Sequence, residues 1–596
     1  MIHILTHLFY LHQYPNMKNF NSLFLLSSFL GLILWWGTPS SLYGQNNCQG
    51  ATAQIDLITN GISARLPGAG NLWWDGSNSR YTVASAEDPN RQVGLIFAGG
   101  IWLGGFDPGD NLKLAANTYG SFAGNNDYWP GPLDDNGQTT ADNCANYDRF
   151  WKMSRSNIDA MIADFEDNGV IDQDIPRVIR EWPGRGNPYF EGSLGFPLPN
   201  TGDQLAPFFD RNNDGVYDPA QGDVPSIKGA DQAIWWIFND AAGIHTESDG
   251  DLLQAEIHAM AYTYNSAAPP INRATFYDYT IINKSVESLD SSYIGLWVDP
   301  DLGCYLDDYI GCNPEKDLFY IYNQDAVDNS SECLPACPVQ GFCEDIPVVG
   351  IKILQGTTGT DPNTNEPVDN GLSSLTYYNN AVYTGDPSTS DPREALEFYR
   401  YLSGSWRDGS PITRGGTGYD LSSSDVTRYA FPDNPSDPDG WSMCAEALGA
   451  NDARAILGSG PFTLQPRSIN QFTFAVYLRD EVAHPCPDLS DFFADGDLIE
   501  TFYDDLPTTT TREVGSSLEG VQLAAHPLRD RAILSLNEGL LNRVELFSLN
   551  GQLLRSYTSI KAPQLVIERQ GLPAGMCFYR LQNEAGQWAS GKLLIQ

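Results

Sequence analysis

The chain has 596 residues, with 75 Asp and Glu against 34 Lys and Arg, a formal charge of −41 and a pI near 4.3. A field of that sign repels phosphate backbones and anionic lipid, which argues against nucleic-acid and polybasic-membrane roles. With 41% hydrophobic and 12% aromatic residues the chain is too apolar for a disordered acidic tail, so a globular protein is expected.

Residues 1–44 carry a single formal charge, at Lys18. The run from Leu23 to Trp36 is nearly all apolar, with Met17-Lys18-Asn19 before it and Thr38-Pro39-Ser40-Ser41 after it. A short basic segment, an apolar stretch too short to span a bilayer comfortably, and small residues for a peptidase predict a signal peptide over 1–44, with Met17 as a possible true start. No later segment reaches membrane length, so the mature form is expected to be exported and to lack a transmembrane span. All ten cysteines follow the signal: Cys48, Cys144, Cys304, Cys312, Cys333, Cys337, Cys343, Cys444, Cys486 and Cys577. An even set in an exported chain reads as disulfides. Cys304–Cys312 and a pairing within Cys333, Cys337 and Cys343 are local candidates, but spacing leaves the connectivity open. Zinc is disfavoured, since few histidines follow the signal and no Cys-x2-Cys pair exists.

Residues 45–250 form an acidic region rich in Trp and Gly. Trp73-Trp74, Trp102, Trp129, Trp182 and Trp235-Trp236 sit there among Gly, Pro and Asp, and Trp297, Trp406 and Trp441 follow. Core packing in a loop-rich fold is their simplest role, and stacking on sugar rings is the alternative. Ser156 followed by an acid at Asp159 and an apolar face predicts a short helix over 156–163. The next segment, Asp164 to Asp172, echoes the oxygen spacing of a cation loop, or else is an exposed turn. The sharpest motif is Asp210-Arg211-Asn212-Asn213-Asp214-Gly215-Val216-Tyr217-Asp218. Asp210, Asn212, Asp214 and Asp218 offer side-chain oxygens at positions 1, 3, 5 and 9. Gly215 permits a tight turn at position 6, and Val216 offers its carbonyl at position 7. Position 12 is Gln221 rather than Glu, and Asp223 can replace it. Over about fourteen residues the loop resembles the calcium loops of thrombospondin-type and dockerin-type modules. Calcium is the cofactor it implies.

Residues 251–505 read as a β-sandwich region. Segments 256–264, 275–282, 293–298, 347–354 and 471–478 combine Tyr, Phe, Thr, Val and Ile with partial period-two alternation, the mark of half-buried strands. Asp299-Pro300-Asp301, followed by Asp307-Asp308, ends one such strand. These carboxylates could gather round a metal, or serve glycoside hydrolysis as a pair. Asp391-Pro392-Arg393-Glu394 predicts a helix start, with Asp391 as cap and Pro392 in the first turn. A further helix is predicted over 497–503. The fold class expected is mainly β, a loop-rich β-sandwich body with few short helices. A linker, 506–520, follows by its Thr, Ser and Gly content.

The last segment, 521–596, carries more basic than acidic side chains. It contains His526-Pro527, a strand ending at Asn550-Gly551, then Leu572-Pro573-Ala574-Gly575-Met576-Cys577-Phe578-Tyr579, and a closing Gly591-Lys592-Leu593-Leu594-Ile595. Asn-Gly supplies the positive φ angles of a tight hairpin, and Pro573 with Gly575 sets a second corner. The order of Pro527, Asn550, Gly551, Leu572, Pro573, Gly575, Tyr579 and Lys592 resembles the C-terminal sorting domain of type IX (Por) secretion cargo. His526 stands where that family has Asn, Asn550 stands near its usual Asp, and the stretch before Tyr579 is longer. The resemblance implies a small immunoglobulin-like β-sandwich, a partnership with the type IX machinery, and a final location outside the cell or on its surface. Loss of the tail would remove Cys577 and leave nine body cysteines, hence one unpaired thiol. The body, by Phe97 to Gly105, Asp127 to Pro132, Asp231 to Trp236 and Gly295 to Asp301, is similar to large secreted proteins that carry the same tail. That likeness implies no reaction.

No Gly-x-Ser-x-Gly elbow, His-Glu-x-x-His motif, Walker loop or dinucleotide fingerprint is present. The expected function is therefore non-catalytic: a calcium-stabilised, exported protein that binds or adheres to a surface glycan or extracellular polysaccharide. The alternative is a secreted polysaccharide hydrolase using carboxylates such as Asp299 and Asp301.

Overall fold

The computed structural model describes residues 48–595, except 86–89, 200, 202–204, 329–340, 363, 381–388, 481, 507–520, 525–527, 530, 538, 549–552, 573–574 and 585–587. The signal peptide, nearly all of the linker, and Pro527, Asn550, Gly551 and Pro573 of the sorting motif lie outside the described residues.

The chain is mainly β, built of antiparallel sheets with a few short helices. The largest sheet runs Asp308–Asn313, Leu318–Asn323, Val348–Gln355, Ile469–Arg479, Ala274–Asn283, Ala255–Thr263, Gln232–Asn239 and Trp129–Pro130, with Trp151–Ser154 also paired to Gln232–Asn239. A second sheet runs Ser374–Asn379, Ala453–Leu464, Leu289–Asp299, Ala98–Phe106 and Asn71–Leu72, with Leu112–Ala116 paired to Ala98–Phe106. Of the predicted strands, 275–282, 293–298 and 471–478 fall inside these elements, which extend one to four residues beyond them, whereas 256–264 overruns its strand by Tyr264 and 347–354 begins one residue early, at Pro347. Strands from before and after residue 250 share both sheets.

One continuous core joins these sheets, and the tryptophans supply much of it. Trp73, Trp102, Trp182, Trp235, Trp297 and Trp406 are at most 1% exposed, which makes packing rather than open display their main role. Trp73 follows the short strand Asn71–Leu72 and reaches into the larger sheet. Its ring stands edge-on to Tyr277 and Phe474, and its Nε1–H donates to the Tyr277 hydroxyl at 2.9 Å. The glycine-rich strand Ala98–Phe106 makes this possible. A Cβ at Gly99 would lie 2.8 Å from the Trp73 ring, and one at Gly100 would collide with the Asn117 carbonyl. The sequence signature Gly99-Gly100 therefore marks a close approach of an indole and a neighbouring backbone.

Two helices start elsewhere than predicted. The first spans Arg155–Asn168 and is capped by Ser154, whose Oγ accepts from the Asn157 N–H at 3.4 Å, rather than by Ser156. Its end absorbs the supposed cation loop at 164–172: Asp164 accepts from the Asp172 and Gln173 amides at 3.1 and 3.2 Å, and Gly169 takes the left-handed cap. The second spans Ala395–Leu402 with Glu394 at its cap, three residues beyond Asp391. The Asp391 carbonyl instead accepts from Arg407 Nη1 at 2.7 Å, which holds 391–394 outside the helix. The third, predicted over 497–503, is longer, Ser490–Asp504. Among the described residues no helix is long and apolar enough to cross a membrane.

Cys48–Cys144 and Cys444–Cys486 are disulfides, and Cys304 and Cys343 are disulfide-bonded as well. The local Cys304–Cys312 pair does not form. Cys312 points into the core from strand Asp308–Asn313, where its thiol donates to the Ala430 carbonyl at 3.3 Å. Cys312 and Cys577 are free and buried. Cys333 and Cys337 lie outside the described residues, and among the described body cysteines Cys312 is the one free thiol.

Residues 521–595 hold two further antiparallel sheets, Val521–Ala524, Arg531–Leu536 and Gln564–Glu568 in one, Leu553–Ala562, Leu541–Ser548, Gly575–Asn583 and Trp588–Ile595 in the other. Leu534, Val544, Leu546, Ile567, Leu581 and Leu593 form their own core, separate from that of the body. Of the sorting-motif residues, Leu572 and Tyr579 are buried, Gly575 opens a strand, and Lys592 lies opposite Phe578 in the final pairing.

Candidate functional site

The site grows from three adjacent strands. In Leu289–Asp299 the two-residue period puts Trp297 and Asp299 on one face. Trp297 lies opposite Ile456 in Ala453–Leu464, and Arg454 of that strand lies opposite Tyr378 in Ser374–Asn379. Trp297, Asp299, Arg454 and Tyr378 therefore meet at one end of the sheet. Tyr119, in the segment after Leu112–Ala116, closes over them with its ring edge-on to Trp297 at 5.2 Å.

Asp299 is 1% exposed and has two partners. The Tyr119 hydroxyl donates to Oδ2 at 2.5 Å, and Arg454 Nη1 lies 3.0 Å from Oδ1. Arg454 also pairs with Asp452 and donates through Nη2 to the Tyr119 hydroxyl at 3.1 Å. Asp452 accepts from Asn380 Nδ2 at 2.7 Å. Asp301 lies beside Asp299, and burial, with the Asp299 charge next, pushes its carboxyl well above the usual range. Burial also raises Asp299, but Arg454 and Tyr119 favour its charged form.

Asp299, Asp301 and Asp452 each place a carboxylate oxygen within 4.8 Å of the others, a group that could hold a metal ion. Asp299 and Asp301 thus gather as the sequence suggested, but with Asp452 in place of Asp307 and Asp308. Asp308 is instead held by the Leu302 amide at 2.8 Å, and burial raises its carboxyl strongly. The Arg454 guanidinium already offsets part of the charge of the trio.

Beside this cluster lies a cavity of about 260 Å³. Trp297, Tyr378, Phe398, Pro392 and Tyr119 supply its apolar wall, and Thr118, Glu247, Asn380, Asp391 and Arg454 its polar groups. Trp297 Nε1–H donates to the Tyr378 hydroxyl at 2.8 Å, so the two rings are fixed together. Glu247 accepts from the Thr118 hydroxyl. Burial pushes its carboxyl up to about 7, and the nearby Asp127 adds to the effect. Asp127 in turn anchors the Glu247 segment by accepting the Glu247 amide at 2.9 Å and the Ser248 amide at 3.2 Å.

The predicted cation loop lies elsewhere and forms tight turns. Asp210 accepts from the Asp214 and Gly215 amides at 3.2 and 2.7 Å, and Asp214 from the Val216 amide at 2.8 Å. Asn212 accepts from the Asp214 amide at 3.0 Å, Asp218 accepts from the Ala220 amide at 3.0 Å, and Gly215 has φ +77°. Asp223 is fully buried and clasps both ends of the loop through the Arg211 and Asp218 amides, each at 2.8 Å. Burial lifts its carboxyl to about 6, with Asp210 and Asp214 contributing. No three carboxylates of this loop bring their oxygens as close together as the Asp299 trio does.

Sequence reasoning reached Asp299, Asp301 and Trp297 but not Asp452, Arg454, Tyr119, Tyr378, Asn380 or Glu247. The only local hint was Asp452-Ala453-Arg454, an acid and a base two apart at a strand entrance.

No protein-family model matches the chain, and no curated protein matches it. Among solved structures the chain is similar to a polysaccharide lyase, at 10% identity over 57% of this chain and 34% of the lyase, with a TM-score of 0.16. It is also similar to CopC from Methylosinus trichosporium OB3b, at 14% identity over 13% of this chain and 90% of CopC, with a TM-score of 0.10. The chain thus spans about a third of the length of the lyase, and at these TM-scores neither likeness bears on the site.

Proposed function

We propose that this is an exported glycan-binding protein that takes a single sugar residue into the cavity beside Asp299. The observation that carries this reading is the pairing of a fixed aromatic wall, Trp297 with Tyr378, and convergent polar groups from Thr118, Glu247, Asn380 and Asp391. Apolar walls with a few placed polar groups are the general character of small-ligand sites, and about 260 Å³ falls just below the ~300–1,000 Å³ of drug-sized pockets. A ring-sized polyhydroxylated ligand matches that size and lining.

Binding fits better than hydrolysis by Asp299 and Asp301. Retaining glycosidases hold their carboxyls about 5–5.5 Å apart and inverting ones about 6.5–9.5 Å, so that a sugar bond or a water fits between. A carboxylate oxygen of Asp299 lies within 4.8 Å of one of Asp301, closer than either arrangement, and Asp299 is tied to Arg454 and Tyr119. A glycan array run beside a reducing-sugar release assay decides the matter. Binding that falls at least about tenfold in Asn380→Ala, without turnover, is expected. Turnover abolished by Asp301→Asn would replace this reading with the hydrolase.

Export by the type IX route and a surface or secreted location belong to the same proposal. The support is the resemblance of the tail together with the disulfides, which persist in oxidising compartments. Calcium is proposed for the 210–223 loop, supported by its oxygen order and its turn at Gly215, each carboxylate oxygen retaining a second lone pair for a cation. Calcium at a hundred times its dissociation constant should stabilise the body by about 2.7 kcal/mol. Asp214→Ala should remove that gain in a thermal-shift titration, and an unmoved wild-type transition would discard the assignment.

A further inference from the structure

We infer that the sugar taken by this cavity carries a free amino group, bound as an ammonium between Glu247, Asp391 and the aromatic wall. The inference rests on the glycan reading above and adds the ligand's charge. Among the described residues Arg454 is the one basic residue that lines the cavity, against Glu247 and Asp391. Its charge is already engaged by Asp299 and Asp452. Glu247 and Asp391 line the cavity while Asp299 and Asp452 pair with Arg454, so even with the Arg407 guanidinium bonded to the Asp391 carbonyl the carboxylates outnumber the cations, and they still do when Glu247 holds a proton. A uronic or sialic acid would meet repulsion there, a neutral sugar would gain nothing from the charge, and an ammonium would be attracted.

Two further observations agree. Among the described residues no basic group pairs with Glu247; its contacts are the Thr118 hydroxyl and the Asn125 side chain. A half-buried carboxylate with only neutral donors beside it is a place where a cation from outside gains most. Burial, with the nearby Asp127 charge adding to it, holds that carboxyl up at about 7. Tyr119, half-buried where Trp297 and Tyr378 are buried, supplies the second element among the lining residues, because an aromatic ring attracts an ammonium group through its quadrupole.

The test is isothermal titration of the purified full-length protein at pH 7 with glucosamine, N-acetylglucosamine, glucose and glucuronate. Glucosamine should bind at least tenfold more tightly than N-acetylglucosamine or glucose, and glucuronate should not bind. Glu247→Gln should lower glucosamine affinity at least tenfold, and Asp391→Asn should do the same, each with an unchanged near-ultraviolet circular dichroism spectrum as the control for folding. If glucose or N-acetylglucosamine binds as tightly as glucosamine, the amino-group inference fails while the glycan reading stands. If no sugar binds at all, both fail.

Discussion

Replacing Arg454 with leucine should destabilise the body by about 3–5 kcal/mol, the range found when one partner of a buried ion pair is removed. Asp299 is 1% exposed and Arg454 7%, so water cannot take over the lost role. Leucine also leaves Asp452 without its guanidinium and Tyr119 without the donor on its hydroxyl oxygen. The loss comes from stranded charge rather than from lost attraction, which makes a second substitution diagnostic. Arg454→Leu with Asp299→Asn should recover most of the stability, because the amide needs no counter-charge and can still accept from Tyr119. Urea denaturation followed by tryptophan fluorescence reads both. A loss below about 1 kcal/mol in the single variant would show that the pair behaves like an exposed one, and the electrostatic account of the site would be wrong.

Ending the chain at Glu519 should leave the body's melting temperature within about 2 °C of the full-length value and reduce the cell-surface fraction at least tenfold. Both halves follow from the separation of the two cores. Leu528, Leu534, Val544, Leu546, Leu581 and Leu593 pack with one another and not with the body's hydrophobic cluster, so their removal opens no cavity there. The Arg580 bond to Asn213 is an exposed contact whose loss should cost little. Calorimetry of both chains and protease shaving of the native host measure the two quantities. A truncated protein that still reaches the surface would overturn the role assigned to the tail. A fall of many degrees would show that the tail is part of the body's fold.

The two outcomes also separate what each level of description contributes. Strands 275–282 and 471–478 were legible because a half-buried strand repeats every two residues, and β-branched and aromatic side chains recur with it. The observed elements, Ala274–Asn283 and Ile469–Arg479, extend them by only a few residues. Helix starts were harder. Ser154 rather than Ser156 caps its helix because nearby serines could both serve, and Asp391 caps none because it is held by Arg407, which is distant in sequence. The cysteines show the same limit. Spacing suggested a Cys304–Cys312 pair, but Cys312 is free because its side of the strand Asp308–Asn313 faces the core.

By itself, then, the sequence determined the mainly β architecture, the burial of the tryptophans among glycines, the strongly acidic charge, and the suspicion attached to Asp299 and Asp301. These are local or compositional properties, set by periodicity, turn chemistry and charge. Only the tertiary structure decided that Asp452 and Arg454 complete that carboxylate group, that Tyr119 covers it, and that Glu247 faces the adjoining cavity. Those groups lie far apart along the chain and meet only because antiparallel pairing puts the end of Leu289–Asp299 beside the start of Ala453–Leu464. A one-residue shift of that register would turn Arg454 to the opposite face of the sheet, and no residue's own identity records which register is taken.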